Sequence, residues 1–206
     1  MPLIGIWTYV ALTPFLRNKQ LAVFTGSFEH NLFLPAFIFT IFMFSSRAEV
    51  EFCRCYGFGL SKLCLAQVGP YVIYTLLSMA AAIVLFPLQQ VGATNLQRLV
   101  IFCSGALNVM FAVSVAVFAR VLIRNLFGAL GFELVFYYLI SSGHYDARYD
   151  PLSKYFTDLS AYTGKIVNGL ANSTFYKNRL LALVATVLFT VGAVLLMKSK
   201  NYTEAE

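Results

Sequence analysis

Apolar residues in this chain run in long blocks broken by short polar stretches, with neither the alternation of strands nor the one-sided stripe of soluble helices. Five such blocks stand out: residues 32–46, 68–86, 99–123, 127–141 and 180–197. Each is read as a membrane-crossing helix, about 20 apolar residues being the usual requirement for a core some 30 Å thick. The first is dense in Phe (Phe33, Phe37, Phe39, Phe42 and Phe44). The second has Pro70 in its first turn, where proline is tolerated, and Pro87 just past its end. The fourth is short and follows the third almost at once. The fifth is the cleanest, and an odd number of spans puts the two ends of the set on opposite faces. Residues 3–16 are apolar too, but about 14 residues at 1.5 Å each cannot cross the core. With no basic residues ahead of them they are not read as a signal peptide. Residues 1–31 are therefore expected to form an interfacial and polar segment.

Between the fourth and fifth blocks lies a polar region, residues 142–178, in which Leu152, Tyr155, Phe156, Leu159 and Tyr162 recur at helical spacing. This pattern predicts one or two amphipathic helices lying on the external membrane surface. The expected fold is thus an all-α integral membrane protein, one domain spanning residues 1–206, with about five transmembrane helices, an interfacial helix and an external amphipathic region.

Composition agrees with that class. Of 206 residues, 59% are hydrophobic and 12% charged, where a soluble domain carries roughly 25% charged residues. The net charge of +6 is read as cations beside lipid phosphates rather than as a nucleic-acid surface. Those cations do not settle the orientation. With residues 47–67 in the cytosol, seven of the 15 Lys and Arg lie inside and eight outside, so the usual cytosolic excess is missing.

The charged stretch at residues 47–67 separates the first two blocks. Glu49, Glu51, Arg54 and Lys62 offer a hydrated face, while Val50, Phe52, Tyr56 and Phe58 can bury. Gly57 and Gly59 permit a sharp turn into the next span. A short helix of this kind at the water–lipid boundary suits docking of a soluble partner, and an ordinary charged loop is the plainer reading. The sequence Arg-x-Glu-x-Glu-x-x-Arg-x-x-Gly-x-x-x-x-Lys-Leu-x-Leu-Ala-Gln over residues 47–67 resembles the first intracellular loop of the permease subunits of two-component bacterial ABC exporters. The run Tyr176-Lys177-Asn178-Arg179, opening a last span that ends in a short basic tail, is similar to that family as well.

The resemblance covers roughly residues 30–200 and implies a permease subunit in a bacterial cytoplasmic membrane with a cytosolic C-terminus. It implies a coupling helix (Glu49, Glu51, Arg54, Tyr56, Lys62) docked on a separate ATP-binding subunit that carries the ATP and Mg, and a second permease copy or paralogue. The chain departs from the family at its start, where members have an amphipathic helix and a first span. Residues 3–16 are then a remnant of these or the tail of a segment whose beginning is lost. The chain has no Gly-x-x-x-x-Gly-Lys-Ser/Thr phosphate loop and no nucleophile–base pair, so no enzymatic activity and no cofactor of its own are expected. A membrane scaffold or assembly factor that binds a partner through the same helix is the alternative.

Four further sets of residues bear on candidate chemistry. Ser104, Asn108, Ala112 and Ala116 recur every four residues, a small and polar stripe read first as helix packing and second as a translocation surface. Glu133 lies inside the fourth block, where a carboxyl is costly and usually faces protein or a cavity. It is a candidate for the translocation path or for pairing with Arg120 or Arg124. His144, Asp146 and Asp150 are one residue type short of a metal site, and Cys53, Cys55 and Cys64 lack paired zinc spacing, so no metal is expected.

Overall fold

The computed structural model of the protein describes residues 94–141 except 124, residues 173–199, and positions 68–70, 72, 73, 75–77, 80 and 84. All the described elements are helical: α1 (Asn95–Leu122), α2 (Leu126–Ser141) and α3 (Ser173–Ser199), preceded by an apolar helical segment, Val68–Leu77. Two of them, over Arg98–Leu122 and Tyr176–Met197, are long and apolar enough to cross a membrane. The blocks at 1–31 and 32–46, the stretch 47–67 with Glu49, Glu51, Arg54, Tyr56 and Lys62, and the region 142–172 lie outside the described residues.

Local chemistry places the helix ends. The carbonyl of Thr94 accepts the Arg98 amide at 3.1 Å, so α1 starts some four residues before its apolar block. At the other end Arg120 Nη1 donates to the Ile123 carbonyl at 3.3 Å, a cation answering one of the orphan acceptors of a helix C-terminus. Asn125 caps α2. Its Oδ1 accepts the Phe127 amide at 3.0 Å, and its carbonyl accepts the Ala129 amide at 2.9 Å. A β-carbon on Gly128 would lie 2.9 Å from Ile123 Cγ2, so this tight link requires a glycine there. These contacts convert two adjacent apolar blocks into a helical hairpin with almost no loop.

α3 runs parallel to α1. Arg179 meets Ser104 and Asn108, Phe189 meets Phe111 and Phe118, and Ala193 packs with Val117 and Val121, so contacts advance in the same direction on both helices. Gly192 allows the close approach, a β-carbon there being 3.0 Å from the Phe118 ring. Phe111, Phe136 and Phe189 form the three-helix contact, with ring centroids 5.8–6.2 Å apart in tilted and edge-on arrangements.

The outer face of α3 is apolar and open: Leu180, Leu183, Val184, Val187, Leu188, Val191 and Leu195 are each 49–66% exposed. Their spacing of three and four residues makes a continuous apolar stripe along the helix, the kind of surface that marks contact with lipid or with another protein. Three hydroxyls within α1 and α3 are satisfied locally. Thr186, Thr190 and Ser114 donate to the carbonyls of Ala182, Thr186 and Phe111, each at 2.8 Å, which lets polar residues sit in apolar helices without a partner helix.

Candidate functional site: a buried polar seam

Of the candidate residues in the described region, Ser104, Asn108 and Glu133 are all buried, with exposures of 4%, 1% and 1%. Helix geometry explains how one stripe serves two neighbours. A step of four residues advances about 40° beyond a full turn, so Ser104, Asn108, Ala112 and Ala116 wind from the α3 side of α1 to the α2 side. Ser104 and Asn108 meet Arg179 of α3, Ala112 packs in the cluster with Ala182 of α3, and Ala116 packs on Ala129 of α2.

Arg179 organises the upper part of this seam. The residue is buried although it stands near the start of α3. Its Nη1 donates to Asn108 Oδ1 at 2.6 Å and to Ser104 Oγ at 3.1 Å. Nε and Nη2 donate to Asn178 Oδ1 at 3.0 and 2.6 Å. Two buried amide oxygens and one hydroxyl thus replace the water a guanidinium would otherwise hold, and hydrogen bonds to a charged group are the stronger kind. In the sequence Arg179 reads as one more cation flanking a span. The signal that could have found it was the pair of acceptors Ser104 and Asn108, one turn apart within residues 99–119 of α1, which contain no Asp, Glu, Lys or Arg.

Glu133 sits lower in the seam. On α2, Ala129 lies against Ala116 and Phe136 against Phe111, so Glu133 between them faces α1 near the level of Ala112. Both its carboxyl oxygens are buried without a hydrogen-bond partner. The expected pairing with Arg120 is not made. Arg120 is eight residues below Ala112 on α1, about 12 Å along the helix, and binds the Ile123 carbonyl instead. Arg124, the other suggested partner, is outside the described residues. The Asn108–Arg179 contact lies about one turn, or roughly 6 Å, from the level of Glu133.

On another face of α1, the Val68–Leu77 segment and α3 enclose a groove of about 540 Å³ lined by Val68, Val72, Met110, Val113, Val117 and Ala193 among others. Its two hydroxyl-bearing residues, Ser114 and Thr190, spend their protons on helix carbonyls, so it offers almost nothing to a polar ligand. No group of three metal-binding side chains occurs among the described residues; His144, Asp146, Asp150, Cys53, Cys55 and Cys64 lie outside them. The chain matches no family model, no curated protein and no solved structure.

Proposed function

We propose that this protein is the permease subunit of an ATP-driven transporter, of the exporting kind, embedded in a bacterial cytoplasmic membrane with its C-terminus in the cytosol. The observation that carries the reading is the seam itself: an arginine, an asparagine and a carboxyl buried within helices that are otherwise apolar. Ionisable groups in such helices are expensive and as a rule mark a functional path. The parallel course of α1 and α3, with α2 returning between them, suits helices that cross the bilayer in succession. The resemblance of residues 47–67 to a coupling loop supplies the motor, a separate ATP-binding subunit holding ATP and Mg and docked on Glu49, Glu51, Arg54, Tyr56 and Lys62. A second copy or a paralogue would complete the path, to which Ser104, Asn108 and Glu133 contribute.

A second reading, a scaffold that binds a partner without moving a substrate, draws on the close packing of Ser104 and Asn108 between α1 and α3. One experiment separates the two. The detergent-solubilised protein is used to capture partners, as wild type and with the charges of Glu49, Glu51 and Arg54 reversed. Co-purification of an ATPase that the reversed variant loses supports the permease. If the wild type captures no ATPase, the permease reading is withdrawn and the scaffold replaces it.

A further inference from the structure

We propose that Glu133 is a proton-binding site in the seam between α1 and α2, and that its carboxyl gains or loses a proton only when the seam opens. The inference rests on the membrane placement proposed above, though not on docking of an ATPase.

Glu133 is 1% exposed, and neither of its oxygens has a hydrogen-bond partner. Its neighbours on the same face of α2, one turn before and after, are Ala129, Leu130, Phe136 and Tyr137, and all four pack against the core that α1 builds. A carboxylate in such surroundings must find a cation or become neutral. The cations that the helices could supply are few. Residues 99–119 of α1 and 180–197 of α3 contain no Asp, Glu, Lys or Arg. From α3 the charged group facing this region is Arg179, engaged with Ser104, Asn108 and Asn178. From α1 it is Arg120, bound to the Ile123 carbonyl.

A metal ion would need several oxygen ligands around it, and no group of three candidate ligands exists among the described residues. An organic cation would need a cavity where apolar side chains and aromatic rings are packed. A proton needs neither. Binding is a plain acid–base step in which the carboxylate takes a proton from water and returns it, with no other bond made or broken. Since the anion fits an open seam and the neutral acid a closed one, proton release and separation of α2 from α1 favour each other by linkage. An opened seam also leaves the anion about one turn from the Arg179 guanidinium.

The test uses the full chain in native membranes and two reagents, the hydrophobic dicyclohexylcarbodiimide and a water-soluble carbodiimide. A carboxylic acid adds across the carbodiimide and rearranges to a stable N-acylurea, located by peptide mass. The expected result is modification of Glu133 by the hydrophobic reagent alone, absent in Glu133→Gln. Modification by the water-soluble reagent to the same extent, or none by the hydrophobic one, overturns the proton site. Alkaline carbonate extraction of the same membranes is run alongside. If it strips the chain from the bilayer, the membrane placement has failed and the proton site goes with it. If the chain stays in the pellet and Glu133 is unmodified, the proton site alone is refuted.

Discussion

The Asn108–Arg179 bond allows the packing of α1 against α3 to be measured. Asn108→Leu keeps the branch at Cγ and removes the oxygen that accepts Arg179 Nη1 at 2.6 Å. Two scales bound the cost. Hydrogen bonds between membrane helices average about 0.6 kcal/mol and reach about 1.7, whereas bonds to charged groups contribute about 1.5–3 kcal/mol. The donor here is a buried guanidinium, so the overlap of the two scales, about 1.5–1.7 kcal/mol, is the expected loss. At about 2–4 °C per kcal/mol for a chain of this size, Asn108→Leu lowers the midpoint of thermal unfolding by roughly 3–7 °C, followed by helical circular dichroism in detergent. The decisive quantity is the double-mutant cycle with Arg179→Met. If the two side chains stabilise each other, the double variant loses at least about 1 kcal/mol less than the two single losses combined. Independent sites add to within about 0.3–0.5 kcal/mol. Additivity at that level would refute the claim that this bond joins the helices, whatever the single variants do.

Three other outcomes follow from the packing. Gly192→Leu drives a side chain into the Phe118 ring, which already lies 3.0 Å from where a β-carbon would stand, and overpacking of this kind costs about 1–3 kcal/mol. The same melting assay reads it, and an unchanged midpoint would mean that α1 and α3 do not approach closely. Asn125→Ala removes the cap of α2 at a cost of about 1 kcal/mol, while Asn125→Asp retains it, so the two variants should separate in a melt. Cysteines placed at Leu183 and Leu188, both on the exposed apolar face of α3, should react with a membrane-permeant maleimide only after the bilayer is dissolved by denaturing detergent. Rapid reaction with an impermeant maleimide in intact vesicles would show that this face meets water.

What the sequence determined by itself is the helical and apolar character of the three described blocks. Blocks of 15 or more apolar residues, as at 99–123, 127–141 and 180–197, cannot satisfy their backbone groups in lipid except as helices. The observed α1, α2 and α3 contain these blocks almost whole. The break between α1 and α2 was legible as the short gap between the third and fourth blocks, whereas the Asn125 cap that fixes it emerged from the structure. Tertiary structure decided where the helices begin and which polar residues turn inward. α3 starts at Ser173, seven residues before its apolar block, and acceptors on a helix 71 and 75 residues earlier in the chain hold Arg179 inside. Apolar periodicity ends where charge begins and carries no information about such a distant partner. For Glu133, sequence proximity suggested Arg120, but the antiparallel return of α2 carries it two turns past that arginine. Its surroundings were therefore set by the hairpin, through the pairing of Ala129 with Ala116 and of Phe136 with Phe111.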